Sequence, residues 1–289
     1  MPELPEVETI ARGLSSRVTG DVIESVWLGS KPEPLKSKAS EIVAVLESKR
    51  IAGVRRVGKH IVFDLENGGR ASSPVSRKSI RKSSKTFAPL PTTAQWIVHL
   101  GMTGRMLVCK PDQAIEKHTH AVARLVSGRE LRFVDPRRFG RLSVAHGFEA
   151  AGSEPLEVEL NRFVELFHGR KTPIKSALLN QKLLSGVGNI YADESLFRAG
   201  IRPRRRAASL TRKELPRLYA TVQEVLKEAI ALGGSSVSDY VDADGEEGFF
   251  QLQHRVYGRE GEPCLVCKTP IKRVVIAGRS SHYCPRCQK

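Results

Sequence analysis

Val7, Ile10, Ala11 and Leu14 recur at the three-and-four spacing of a helix face and predict a helix over Leu4–Val18. Pro5 suits its first turn, where a missing N–H costs nothing, so Pro2 and Glu3 lie at or just before a helix N-terminus. From about residue 22 to 145 the pattern shortens to β-branched and aromatic runs. Residues 61–65 and 96–100 predict strands, and 122–126, Ser127-Gly128 and 130–134 predict a hairpin. Ala39–Leu46 is a second helix candidate. Long helical crossovers are missing, which favours antiparallel over parallel pairing. From about 155 the helical period returns. Residues 158–167 carry an apolar stripe, and Thr172-Pro173 is a cap and first-turn signal for a helix to about 183. Residues 190–198 form another. Thr211-x-x-Glu214 is a capping box ahead of 215–232, which Gly233-Gly234 stops. Residues 235–250 predict a loop.

The pattern is that of an α+β chain of several domains. An antiparallel β structure with flanking helices is expected over 1–150, a helical domain over 155–250, and a small cysteine module over 254–289. Residues 67–95 break the strand pattern with six basic residues, no acidic one, many serines and three prolines. Such a composition cannot bury a core. The segment is expected to be a basic insertion between two strands, either a solvated loop or a phosphate-contacting arm.

Charge sharpens this picture. Lys plus Arg is 47 against 31 Asp plus Glu, a surplus of +16. A surplus this large points to a polyanionic partner, usually nucleic acid. No apolar run is long enough for a membrane span. The acidic, proline-rich start lacks the features of a signal peptide, so the cytosol is the expected location. Five cysteines in 289 residues are too few for a secreted disulfide scaffold.

Four of those cysteines read Cys264-x2-Cys267-x16-Cys284-x2-Cys287. Two such pairs can bring four sulfurs within tetrahedral reach of one Zn2+, and a full sulfur shell makes the metal structural rather than catalytic. The residues between read as strand, turn, strand: a zinc ribbon, with Arg273, Arg279 and His282 on or near its tip. Cys109 is expected to be a buried thiol. Gly186-Val187-Gly188-Asn189-Ile190-Tyr191 permits a close turn, with Asn189 able to cap the next helix and backbone N–H groups able to meet a phosphate. A plain connection between two helices uses the same pattern. Asp135-Pro136-Arg137-Arg138-Phe139-Gly140 puts two guanidiniums beside an aromatic, suited to phosphates or to a wedge between bases. Arg–Asp pairing at a hairpin end is the alternative. Loss of Met1 would expose Pro2 as a secondary amine. An α-amino group, with a pKa of about 8, is a usable nucleophile at neutral pH. Its attack on a sugar C1′ gives a cationic iminium, and Glu3, with Glu6 and Glu8 following, could supply a proton or offset that charge. A merely exposed polar start is the alternative.

Taken together and in order, MPELPEVET, Gly58-Lys59-His60, His99-Leu100-Gly101-Met102, Asp135 to Gly140, Gly186 to Tyr191 and the four-cysteine ribbon resemble the Fpg/Nei family of DNA glycosylases, over the whole chain except the insertion. Leu4 resembles the formamidopyrimidine branch rather than the endonuclease VIII branch, which usually has Gly there.

The resemblance implies an N-terminal β-sandwich, a helix–two-turn–helix domain and a zinc ribbon with one structural Zn2+. It implies a monomer that acts on damaged double-stranded DNA, excises oxidised purines such as 8-oxoguanine and formamidopyrimidines, and cleaves the strand by β,δ-elimination. Pro2 would be the Schiff-base nucleophile, Glu3 the proton donor and Glu6 its support. Lys59 would grip the lesion-flanking phosphate and assist β-elimination; Arg279 would hold phosphate and serve δ-elimination. Met102, Arg137 and Phe139 look like the trio that fills the void left by the everted base, with Arg137 facing the orphaned cytosine. His118, Arg170 and Asn189 match DNA-contacting positions. The chain departs from the family pattern in the basic insertion and in His118-Thr119-His120, where the family has His-Asp-His. The lesion-capping loop is expected around 235–250. The rivals are an enzyme of the same chemistry on oxidised pyrimidines and a non-catalytic zinc-ribbon DNA-binding protein.

Overall fold

The computed structural model describes residues 1–68, 94–236, 243, 246 and 248–289. The basic insertion, apart from its edges, and much of the expected capping loop lie outside the described residues. The chain folds as two compact units. One holds Ala11–Arg55 and Ile61–Phe148, the other Met1–Ile10, Arg56–His60 and Glu149–Lys289.

The first unit is built on two four-stranded antiparallel sheets, as the strand pattern predicts. One runs β1 (Ile23–Leu28), β6 (Thr119–Leu125), β7 (Glu130–Val134), β5 (Arg105–Cys109). The other runs β2 (Lys49–Val57), β3 (His60–Asn67), β4 (Ala94–His99), β8 (Arg141–Ala145). The expected hairpin is β6–β7, paired as Ala123↔Leu131 and Arg124↔Glu130, with Gly128 at φ +85° in its turn. Phe63 and Trp96, on neighbouring strands, stack at 4.9 Å between centroids and lie in the core. Helix α2 (Ala39–Leu46) buries Ile42 and Leu46. Cys109 is buried.

The second unit holds helices α3 (Leu160–Phe167), α4 (Ile174–Leu178), α5 (Asn189–Arg198) and α6 (Glu214–Ala231), and the ribbon β9 (Lys272–Ile276) and β10 (Arg279–Tyr283). Helix α1 (Leu4–Val18) begins in this unit and continues into the other. Leu218, Val222, Val225 and Leu226 of α6 share one core with Tyr191 and Leu196 of α5, Phe163 and Phe167 of α3, and Leu4. The capping box is made: Thr211 N–H donates to Glu214 Oε2 at 2.8 Å, and Glu214 N–H to Thr211 Oγ1 at 3.2 Å.

Three local expectations need correction. The helix after Thr172-Pro173 stops at Leu178 rather than near 183, because Asn180 takes over. Its Oδ1 accepts the Lys182 N–H and its carbonyl accepts the Leu183 and Leu184 N–H groups, a turn that competes with the helical ladder. Thr172 gives no side-chain cap. The first N–H groups of α4 instead go to backbone carbonyls, Ile174 to Arg205 at 2.7 Å and Lys175 to Pro203 at 3.3 Å. Likewise Asn189 is the first residue of α5 rather than its cap; Gly188 takes that place without a side chain.

Candidate active site and metal centre

The start of α1 is buried rather than an exposed polar end. Pro2, Glu3, Leu4, Pro5 and Glu6 are all buried, while Met1 is exposed. Leu4 N–H donates to Gly186 O at 3.0 Å, which ties the N-terminal segment to the turn before α5. The two glycines of that turn are needed for the approach. A Cβ on Gly188 would fall inside the Glu3 carboxyl, and one on Gly186, at φ +100°, would come within 2.9 Å of Leu4 Cδ1.

Glu3 Oε1 accepts the Ile190 N–H at 3.2 Å. The anion at the α5 N-terminus is therefore this carboxylate, where the sequence pattern had suggested a phosphate. Glu3 Oε2 is buried and has no hydrogen-bond partner. Burial pushes the Glu3 carboxyl up to about 7, with Lys59 acting against the rise and Glu6 adding to it. Glu6 sits beneath. Its Oε2 accepts the Glu3 N–H at 2.7 Å; its Oε1 accepts the Ser235 N–H at 2.8 Å and the Tyr191 hydroxyl. Burial raises its carboxyl too, opposed by those donors. Lys59 is driven down from its ordinary value by burial, while Glu3 and Glu6 pull it back up and Arg279 pushes it further down. Pro2, Glu3, Glu6, Lys59 and Arg279 thus belong to one unit, in which the charges of Glu3 and Lys59 act on each other and that of Arg279 acts on Lys59.

Lys59 is carried on the turn between β2 and β3, and Arg56 holds that turn. Its side chain is buried and bonds Glu8 Oε2 at 2.8 Å, both Glu154 oxygens at 2.7 and 2.8 Å, and Gly58 O at 3.2 Å. The ribbon is held by a second buried pair. Lys175 Nζ lies 2.7 Å from Asp193 Oδ1 and donates to Ser280 O at 2.6 Å, and Asp193 Oδ2 accepts the His282 N–H at 2.9 Å. His282 is therefore buried against α5, not near the ribbon tip. Arg279 follows the turn of Ala277 (φ 47°) and Gly278 (φ 77°) and is exposed. Arg273 pairs across from His282, away from that turn, and is also exposed. Asn189 Nδ2 donates to Ser280 Oγ at 3.2 Å, beside Arg279, and its Oδ1 has no partner. Arg170 is exposed just before α4.

Within the sheet unit, Met102, Arg137 and Phe139 are exposed on two loops that Asp135 joins. The buried Asp135 carboxylate accepts Thr103 Oγ1 at 2.5 Å, the Gly140 N–H at 2.7 Å and the Arg137 N–H at 3.3 Å. The Arg137 guanidinium lies 5.0 Å from the Phe139 ring centroid. Asp135 thus shapes the loop through its backbone, and the nearby guanidinium that is ion-paired, Arg138, goes to Glu33 at 2.9 Å. His118 is exposed; His120 is buried, with Nε2 at 2.9 Å from Asp135 O.

The four ribbon sulfurs lie within 4.8 Å of one another, with Cys264–Cys287 at 3.9 Å and Cys267–Cys284 at 3.4 Å. A tetrahedral Zn2+ with Zn–S of about 2.3 Å requires sulfurs roughly 3.8 Å apart. The donor set is consistent with one structural Zn2+, and the four sulfurs fill its shell.

Sequence reasoning missed Tyr191, Ser235, Lys175 and Asp193. Tyr191 stood in a motif already singled out, where a hydroxyl aimed at a carboxylate was readable in principle. The other three carry no local signal: Lys175 and Asp193 meet each other across the turn between two helices, and their ribbon partners and the Glu6 partner of Ser235 lie 89 to 229 residues away in chain order.

The formamidopyrimidine-DNA glycosylase N-terminal domain matches residues 1–142, the H2TH domain of the same enzymes 151–241, and the zinc finger found in FPG and IleRS 261–289. A formamidopyrimidine-DNA glycosylase of Solibacter usitatus is 42% identical over 299 residues, covering 100% of both chains. The MutM (Fpg) structure from Thermus thermophilus is 40% identical, with a TM-score of 0.81 over 99% of this chain and 98% of that one. Lactococcus lactis Fpg, 30% identical, has been solved with abasic-site DNA (TM-score 0.84, 99% of each chain) and with Fapy-dG DNA (TM-score 0.82, 99% and 100%). With its full length matched at this identity, the chain belongs to the formamidopyrimidine-DNA glycosylase family.

Proposed function

We propose that this protein is a bifunctional DNA glycosylase and abasic-site lyase of base excision repair, acting as a monomer in the bacterial cytosol on oxidised purines, 8-oxoguanine and formamidopyrimidines, in double-stranded DNA. The observation that carries the reading is Glu3. It is a buried carboxyl beside Pro2, held near pKa 7 by desolvation, with one oxygen fixed by the Ile190 N–H and the other unpartnered. A carboxyl that is half protonated at neutral pH is suited to general acid work.

Once Met1 is removed, the Pro2 nitrogen attacks C1′ of the damaged nucleotide. The C1′–base bond breaks, and the base leaves with the bonding pair and takes up the proton that the Pro2 nitrogen releases. Glu3 delivers a proton to the ring oxygen as the sugar opens, leaving an iminium between Pro2 and C1′. Loss of the C2′ proton then expels the 3′ phosphate, and a second elimination expels the 5′ phosphate. Glu6 holds the Pro2–Glu3 peptide through its bond to the Glu3 N–H. Lys59, whose ammonium burial makes easier to deprotonate, grips the flanking phosphate and assists the first elimination; Arg279 serves the second. Asn189, His118 and Arg170 contact the backbone. Met102, Arg137 and Phe139 fill the space of the everted base, offsetting an unstacking cost of a few kcal/mol. A bound Zn2+ supplies no chemistry to the reaction; it folds the ribbon that presents Arg279.

Replacing Glu3→Gln tests the assignment. It should abolish base excision from an 8-oxoguanine or formamidopyrimidine duplex while leaving duplex affinity within a few-fold. Wild-type excision by the variant would refute the role.

A further inference from the structure

Residues 170–175 and 202–206 hold seven Lys and Arg and no Asp or Glu. The fold lays the two segments side by side. Pro173 bridges Arg206 in antiparallel sense, Ala207 N–H donates to Thr172 O at 3.0 Å, and Ala208 N–H to Arg170 O at 2.8 Å. Three of the seven cations are committed internally. Lys175 pairs with Asp193, Arg205 pairs with Glu214 at 2.5 Å, and Arg202 caps the carbonyls of Pro285 and Gln288 at 2.8 and 2.9 Å. Arg170, Lys171, Arg204 and Arg206 remain without a carboxylate, with Arg170 Nε donating to Leu166 O and Arg204 Nη2 to Val275 O. All four are exposed, and among the described residues none has a carboxylate within ion-pair distance.

This group adjoins the ribbon. Arg204 Nη2 donates to Val275 O at 3.3 Å, and Val275 lies directly across the hairpin from Ser280, the neighbour of Arg279. On the other strand Ser280 O takes the Lys175 ammonium. The cations without a carboxylate partner therefore start at the hairpin that carries Arg279 and extend toward α4. Like charges collected on a surface repel one another in the free protein, and a polyanion relieves that repulsion. The four cations lie on two paired segments and all are exposed, which suits an extended row of phosphates rather than a single small anion.

We propose that Lys171, Arg204 and Arg206, continuing from Arg170, form a phosphate-binding strip for the duplex outside the lesion nucleotide, beyond the contacts of Lys59, Asn189 and Arg279. The proposal rests on the DNA-repair reading above. It adds a sequence-independent anchor that lengthens the DNA footprint and adds affinity for damaged and undamaged duplex alike.

The test is a salt titration of binding to an undamaged duplex, using the full-length zinc-loaded protein and the triple variant Lys171→Ala/Arg204→Ala/Arg206→Ala. Each lost phosphate contact lowers the slope of log K against log salt by about 0.9, so the triple variant should lose up to about 2.7. Excision at saturating enzyme should stay at the wild-type rate, with one zinc per chain retained. The double variant Lys171→Ala/Arg206→Ala keeps the Arg204 contact to the ribbon and should lose up to about 1.8. An unchanged slope in both variants overturns the strip. A loss confined to variants containing Arg204→Ala also overturns it, by making Arg204 a brace of the ribbon. Because the duplex carries no lesion, a wild-type protein that excised nothing would refute the activity without touching this result.

Discussion

In the proposed mechanism Glu6 holds the Pro2–Glu3 peptide, and Glu6→Gln isolates that contribution without changing the side chain's size. In the native protein its two oxygens accept from three donors: the Glu3 N–H at 2.7 Å, the Ser235 N–H at 2.8 Å and the Tyr191 hydroxyl. A glutamine has one acceptor oxygen and one NH2 group. If the NH2 faces Glu3, it meets an N–H donor and the Glu3 peptide loses its anchor. If it faces Ser235 and Tyr191, the Ser235 N–H is left without an acceptor. Either orientation leaves one buried donor unsatisfied, at a cost of about 1–3 kcal/mol. Set wholly against the reactive arrangement of Pro2 and Glu3, that is roughly a 5- to 140-fold loss in rate. The assay is single-turnover base excision from a formamidopyrimidine duplex at saturating enzyme, with duplex affinity measured alongside. Affinity should change little, because Glu6 is buried. An excision rate within twofold of wild type would refute the reasoning.

Two further outcomes follow from the same geometry. With Glu3 at about pKa 7, the proposed general acid is present below that pH and falls tenfold per unit above it. The ratio of base excision to cleavage of a preformed abasic site should therefore drop above pH 7; a flat wild-type ratio from pH 6 to 9 would contradict the role. Cys264→Ser, or chelation of the metal, should cost ribbon structure and DNA binding together, with one zinc per chain found in the native protein by elemental analysis. Full binding by metal-free protein would contradict a structural zinc.

Most of the framework was legible wherever a local signal has one physical meaning. Helix α1 lies over Leu4–Val18 as its apolar spacing predicts, the capping box at Thr211 and Glu214 forms both of its bonds, and the cysteine spacing gathers four sulfurs. Signals with two meanings misled. Gly186 and Gly188 permit a close approach, but what approaches is the protein's own Leu4 and Glu3. Thr172-Pro173 starts a helix that Asn180 soon ends. His282 sits in a strand whose pattern does not reveal that it faces Asp193. Illegible were the long-range pairings that tune the site: Tyr191 and Ser235 on Glu6, Arg56 joining Glu8 to Glu154, and Lys175 on Asp193. Their chemistry depends on burial, and burial is a property of the assembled fold.

The central claim is that the nitrogen of Pro2 becomes bonded to the sugar of the damaged nucleotide. Borohydride reduction during turnover on an 8-oxoguanine or formamidopyrimidine duplex, followed by peptide mapping of the trapped adduct, tests this most directly. The account predicts one covalent protein–DNA adduct, located at Pro2 of a chain that has lost Met1. An adduct on Lys59 or any other lysine, or turnover with no trappable adduct, would contradict it.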